Sequence, residues 1–141
     1  MRYIKLYEQA QPEKRVEYYA DGSVAYEVWY QNGKLHRDDE PTYIEYHQDG
    51  SIEYEAWYQN GKLHREDGPA KIVYRTDGSV EIELWYQNGK LHREDGPAQI
   101  GYRTDGSVGY DMWYWHDEQL EDITSLEDFI AWQYLKSVGL V

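Results

Sequence analysis

The chain has 141 residues, enough for one domain, and its 40% hydrophobic share is dominated by 16 Tyr and 6 Trp against one Phe. A net charge of −13 leaves no basic footprint for DNA or RNA, and the lack of cysteine excludes disulfides and thiolate metal sites. Tyr and Trp cover wide area while keeping a polar handle, which suits half-exposed sheets with a thin core.

Residues 1–12 are expected as an N-terminal cap in which Tyr3, Ile4, Leu6 and Tyr7 make a covering strand and Pro12 ends it. The stretch MRYIKLYEQAQPEKR has no apolar h-region, and no run approaches a membrane span. A cytoplasmic location without a membrane partner is the expectation.

From Glu13 onward the chain repeats itself. WYQNGKLHREDGPA occurs without change at Trp57–Ala70 and again at Trp85–Ala98. A looser copy starts at Trp29 and a degraded one, WYWHDEQLED, at Trp113, so the period is 28 residues. Four copies follow, at 13–40, 41–68, 69–96 and 97–122.

Within the third copy Ala70, Ile72 and Tyr74 alternate with Lys71, Val73 and Arg75, a period-two strand signal. Val80, Ile82, Leu84 and Tyr86 alternate in the same way after a turn at Thr76-Asp77-Gly78. A three-residue loop there pairs Tyr74 with Val80, Ile72 with Ile82, Ala70 with Leu84 and Lys71 with Glu83, with Gly78 as the left-handed residue of a G1 bulge. The first copy gives Tyr18 with Val24, Val16 with Tyr26 and Arg15 with Glu27. The inner rows would then be tyrosine and aliphatic. At Asn88-Gly89 a two-residue type I′ turn fits, pairing Tyr86 with Leu91 and Trp85 with His92; Asn32-Gly33 and Asn60-Gly61 are its equivalents. Glu94-Asp95-Gly96-Pro97 links one copy to the next as an exposed bend or edge, either kinking or reversing the chain.

The fourth copy decays after Tyr114, as a terminal capping copy would. Ser125 with Asp128 three residues on is an N-cap signature. Leu126, Phe129, Ile130, Tyr134, Leu135 and Val138 form one broad apolar stripe, predicting a helix within 123–141 that covers the last open edge or the sheet face. The expected fold is mainly β: an elongated antiparallel β-hairpin array with a C-terminal capping α-helix.

Tyr58-x-Asn60-Gly61-Lys62 and Tyr74-x-x-Asp77-Gly78-Ser79, two aromatic-plus-turn signals per copy, resemble variant MORN repeats over residues 13–120. The resemblance implies a β-hairpin array, and bacterial proteins of this kind include antitoxin or immunity components of toxin pairs. An acidic surface would repel anionic lipids, which argues against the lipid-binding role claimed for standard MORN repeats.

Candidate chemistry is sparse. His36-Arg37-Asp38 spells a kinase catalytic triplet without its strand lysine, Asp-Phe-Gly or Gly-rich loop, and the slot reads His-Arg-Glu-Asp in the next two copies. His36, His64 and His92 with Glu27, Glu55 and Glu83 fall about 10 Å apart from copy to copy, two strand spacings, against ligand bonds of about 2 Å. Paired acids recur in every copy, whereas an active site breaks symmetry. No enzyme, metal or cofactor is expected.

Two surfaces remain. From Asp105 onward eight acids face one base, Lys136, a local charge of −7. The candidate partner site is Asp111, Trp113, Trp115, Asp117, Glu118, Glu121, Asp122, Glu127 and Asp128, where the repeat symmetry breaks. The expected partner is a protein with a basic surface, bound and blocked without catalysis. Antitoxin and immunity proteins work in that way, and so do viral inhibitors that mimic nucleic-acid charge. The alternatives are a carbohydrate- or choline-type ligand lying on a row of Trp29, Trp57, Trp85 and Trp113, and a scaffold assembling through open sheet ends.

Overall fold

The computed structural model describes residues 12–141 and is mainly β, an antiparallel sheet of hairpin strands with one C-terminal helix. The covering strand expected at Tyr3–Tyr7 lies outside the described residues. β1 (Glu13–Tyr18) and β2 (Val24–Gln31) form a first hairpin, followed by the short β3 (Lys34–Leu35). β4 (Tyr43–Tyr46) and β5 (Ile52–Ala56) form the next, followed by β6 (Tyr58–Gln59) and β7 (Lys62–Leu63). β8 (Lys71–Tyr74) and β9 (Val80–Leu84) come with β10 (Tyr86–Gln87) and β11 (Lys90–Leu91). β12 (Gln99–Tyr102) and β13 (Val108–Met112) come with β14 (Tyr114–Trp115) and β15 (Glu118–Gln119), and then α1 (Leu126–Ser137). The large sheet has the order β1-β2-β4-β5-β8-β9-β12-β13, with β3 beside β2.

The wide turn is the three-residue loop the glycine predicts. Arg75 N–H donates to Ser79 O at 2.8 Å, Gly78 N–H donates to Arg75 O at 2.9 Å, and Gly78 has φ +82°. Asp77 Oδ1 accepts from the Ser79 hydroxyl at 2.6 Å and from its N–H at 2.9 Å, which holds the Asp77 carboxyl below the usual carboxylate range. Tyr74 then opposes Val80 as expected.

The next pairs correct the sequence reading. Val73, not Ile72, opposes Ile82; Ile72, not Lys71, opposes Glu83; and Lys71, not Ala70, opposes Leu84. Glu81 is an extra residue bulged out of the ladder, and the register behind it slips by one. The first hairpin does the same: Tyr18 opposes Val24, but Glu17 opposes Tyr26 and Val16 opposes Glu27. A one-residue slip moves every later side chain to the other face. Ile72 and Ile82 therefore lie on opposite faces, and the all-tyrosine-and-aliphatic inner row does not exist.

An alternating row replaces it. Val16, Glu27, Ile44, Glu55, Ile72, Glu83, Ile100 and Asp111 are successive cross-strand neighbours on one face. Glu27, Glu55 and Glu83 are half-buried, and a tyrosine hydroxyl reaches each of them. Tyr46 donates to Glu27 at 3.4 Å, Tyr74 to Glu55 at 2.8 Å and Tyr102 to Glu83 at 2.9 Å. Burial raises the hydroxyl pKa of all three tyrosines, so they stay donors. The opposite face stacks Tyr43 between Tyr26 and Tyr54 at 5.3 and 5.2 Å. Desolvation pushes the Tyr54 hydroxyl up to about 12. Few strand residues are fully buried, Val28 and Ile100 among them, so the sheet core is thin.

The Asn-Gly turns form as expected. Tyr86 opposes Leu91, His92 N–H donates to Trp85 O at 3.0 Å, and Asn88 and Gly89 have φ +51° and +80°. These short hairpins are linked to one another. Gly61 N–H donates to Leu35 O and Gly89 N–H to Leu63 O, both at 2.8 Å, and Asp117 N–H donates to Leu91 O at 2.9 Å. A valine at Gly89 would be forced into the left-handed region that β-branched residues avoid. Gly89→Val is expected to cost about 1–2 kcal/mol, read as a lower denaturant midpoint.

The Glu94–Pro97 link kinks the chain without reversing it: the reversal is made at Asn88-Gly89, and β11 and β12 both run antiparallel to the β9–β10 stretch, as β3 and β4 both do to β2. β12 runs antiparallel to β9, with Gln99 opposite Leu84, and Trp85 N–H donates to Ala98 O at 2.7 Å.

Candidate interaction surface

Each early tryptophan is roofed by an arginine eight residues on. The guanidinium carbons of Arg37, Arg65 and Arg93 lie 3.9, 4.1 and 3.9 Å from the ring centroids of Trp29, Trp57 and Trp85. Their Nη1 groups donate to the carbonyls of Pro41, Pro69 and Pro97 at 3.1, 3.3 and 3.3 Å, pinning the bend over the ring. Arg65 and Arg93 are also paired with Asp67 at 3.2 Å and Asp95 at 2.7 Å, and Arg37 with Glu40. Gly68 serves this bracket by its size. A Cβ there would come within 2.8 Å of the Arg65 Cζ. In the first bend Glu40 stands at that position, and Asp39 takes the left-handed φ of +62° instead. Three of the four rings of the Trp row, Trp29, Trp57 and Trp85, thus each carry a guanidinium of their own chain.

The fourth copy loses the bracket, and the helix takes its place. Glu121 stands where the arginine would be, Leu120 where the histidine would be and Ile123 where the second acid would be. Trp113, 5% exposed, lies with its ring centroid 5.1 Å from that of Phe129, which is fully buried. Leu120 completes the cluster, with Trp115, Ile123 and Trp132 packed around it. α1 therefore docks on the end of the tryptophan row through β14–β15. It does not cover the sheet edge: Val108 and Tyr110 of β13 stay exposed. The helix starts where Ser125 predicts, with Asp128 N–H donating to Ser125 Oγ at 3.1 Å and Ser125 Oγ–H donating to Asp128 at 2.7 Å.

The nine candidate partner residues divide by what holds them. Trp113 is buried, and Trp115 is half-buried against Trp132 and His92 at 5.7 and 4.4 Å. Asp117 accepts the Leu91 N–H at 2.7 Å, Glu118 accepts from Lys136 Nζ at 3.0 Å, and Asp128 accepts from the hydroxyl of the N-cap Ser125 at 2.7 Å, a bond that lowers its pKa. Asp111, Glu121, Asp122 and Glu127 are exposed and have no ion pair or hydrogen bond among the described residues. Glu121 and Asp122 rim an open cleft of about 310 Å³ floored by Leu120, Ile123 and Trp132.

The six-residue apolar stripe read from the sequence splits in two. Phe129 is fully buried, and Leu135 is half-buried with the inner-face Trp132. Leu126, Ile130, Tyr134 and Val138 point outward, 46%, 56%, 66% and 50% exposed. Their regular spacing of four was the available signal for this outer row.

The histidines tie neighbouring hairpins together. His36 Nδ1 accepts the Asn60 N–H at 3.1 Å and His64 Nδ1 the Asn88 N–H at 3.0 Å. At the last step His116 replaces asparagine, and His92 stacks on it at 4.2 Å. His92 is buried with its Nδ1 unpaired. Desolvation first, then His116, pulls its pKa below 6.5, while Glu94 opposes weakly. The unfolded chain therefore takes up the proton first. Stability is complete above about 6.5 and falls as the pH drops below it. His92→Leu, which installs what the next copy carries at Leu120, is expected to flatten the fall in melting temperature between pH 7.5 and 5.5.

Among the described residues no helix is long and apolar enough to cross a membrane, and no three His, Asp or Glu side chains converge as a metal ion would require. No family model, curated protein or solved structure matches the chain.

Proposed function

We propose that the chain is a non-enzymatic binding protein, a four-copy MORN-like hairpin array whose acidic C-terminal end holds and blocks a basic partner protein. The carrying observation is the imbalance at that end. Asp111, Glu121, Asp122 and Glu127 are uncompensated among the described residues, while Lys136, the one base in the sequence after Asp105, is spent on Glu118 and on the Trp132 ring 4.5 Å away. Elsewhere the arginines are used on the protein's own tryptophans and carboxylates. Lys34, Lys62 and Lys90 are exposed at the Asn-Gly turns of the earlier copies, so the excess of free carboxylate belongs to the C-terminal end, which attracts a positive partner and repels DNA, RNA and anionic lipid. Placement in the cytoplasm, and action as an antitoxin, an immunity protein or a viral charge mimic, belong to the same reading.

The test compares wild type with Asp111→Lys, Glu121→Lys, Asp122→Lys and Glu127→Lys combined. Wild type is expected to retain a basic protein from a lysate of its source cell at about 50 mM salt and to release it near 500 mM, where the screening length falls to a few ångströms. The variant is expected to retain none. Equal recovery by both, or indifference to salt, overturns the reading.

A further inference from the structure

Almost all the exposed large hydrophobic side chains of the described residues lie in the last quarter of the chain: Val108, Tyr110, Leu126, Ile130, Tyr134, Val138, Leu140 and Val141, with Tyr18 the exception. Leu126, Ile130 and Tyr134 stand at spacing four on the outer face of α1, and Val138, its C-cap, follows at the same spacing. The inner face of the same helix is already satisfied by Trp113 and Leu120. A solvated helix face normally carries polar residues at such positions, and contiguous exposed apolar surface marks an interaction site.

The geometry points to this outer face as the docking site for a basic amphipathic helix of the partner. The inference rests on the acidic-binder reading and gives its partner a shape. Spacing of four makes one continuous ridge. Such a ridge interdigitates with the equivalent ridge of a second helix at a crossing angle of about −50°. α1 has 12 residues, about 18 Å at 1.5 Å per residue, so a partner helix crossing it at that angle would be engaged over about two turns.

Charge chooses the occupant. Glu127 lies beside the ridge in the first turn, and Glu121 and Asp122 precede the helix with no cation among the described residues paired to them. A partner helix with apolar residues at i, i+4 and i+8 and Lys or Arg on its flanks would fill the ridge and neutralise these carboxylates together. A second molecule of this chain would bring its own −7 against this −7. An anionic bilayer would meet the same repulsion.

The test uses the full chain and a synthetic 18-residue Lys/Leu peptide with helical apolar periodicity. A permuted peptide of identical composition and no periodicity is the control. The patterned peptide is expected to bind tighter than the permuted one. The combined Ile130→Asp and Tyr134→Asp variant is expected to weaken it roughly tenfold or more, the scale of two lost apolar anchors. The sign is diagnostic, because two added carboxylates would strengthen a purely electrostatic contact. Both side chains are more than half exposed, so the melting temperature should hold; if it does not, Ile130→Gln with Tyr134→Gln gives the same comparison. Equal affinity for the two peptides, or undiminished binding by the variants, overturns the helix site and leaves the acidic-binder reading standing. No affinity for either cationic peptide overturns both. A concentration-dependent dimer of the free protein, dissolved by Ile130→Asp, would assign the face to a second molecule and overturn the inference.

Discussion

Phe129→Ala is expected to destabilise the C-terminal end by about 3–5 kcal/mol, the usual range for truncating a fully buried aromatic. Phe129 has no exposed surface, and its ring centroid is 5.1 Å from Trp113 and 5.9 Å from both Trp115 and Trp132. Three indoles converge on one ring, so the cavity cannot be refilled by a small shift of one neighbour. The loss should be local. In a hairpin array each element leans on its immediate neighbours, and α1 is anchored through β14–β15. Helical ellipticity should fall and tryptophan emission shift to the red while the sheet signal persists. Leu120→His restores the residue the earlier copies carry and should act in the same direction, because it places an imidazole where an apolar side chain is now 8% exposed. A loss below about 1 kcal/mol for Phe129→Ala would mean that the helix is held by something other than this cluster.

What the sequence made legible follows from the same physics. Asn-Gly and Asp-Gly report backbone conformations that other residues resist, and the turns sit where they say: Asn32, Asn60 and Asn88 all have φ near +50°. The bulge gives no such report. The bulged positions carry Ala25, Glu53, Glu81 and Gly109, four residues with nothing in common, because an unpaired strand residue projects where little packing is decided. One missed residue reversed the assignment of Ile82 and Leu84 to a face. The helix was legible as a helix, but six apolar residues in so short a span leave its orientation open. What orients it is the neighbour, since the decay from His-Arg-Glu-Asp to Leu-Glu-Asp-Ile makes the end of the array apolar. Charges at the candidate site were countable in advance, but their engagement was not. Asp117 and Asp128 read like Asp111 and Asp122 in the sequence, yet the Asp117 carboxylate accepts a backbone N–H and that of Asp128 accepts the Ser125 hydroxyl, while the second pair hold nothing among the described residues.

Trp85→Ala is the second large effect, expected to cost about 3 kcal/mol, the lower end of the range for a tryptophan because the ring is half-buried. Its consequence should exceed its local cost. The ring holds Arg93, which in turn holds the Pro97 carbonyl, and this bracket backs the backbone bond from Trp85 N–H to Ala98 O that alanine would have to keep unaided. Loss in this interior hairpin should uncouple β12 to α1 from the rest, broadening the melt into two steps. Arg93→Ala removes the guanidinium lid and the Asp95 pair while leaving the indole in place, and is expected to cost about 1–2 kcal/mol. The double variant should cost less than the sum of the two, by about 1 kcal/mol, since each single change already breaks the contact they share. The pair also decides what the tryptophans are for. A ring kept as a ligand platform would gain affinity for a sugar or a quaternary ammonium when Arg93→Ala uncovers it. A ring kept as the seat of its own arginine would gain none and lose only stability, and the 3.9 Å stacking of Arg93 on Trp85, recurring at Trp29 and Trp57, makes the second outcome the expected one.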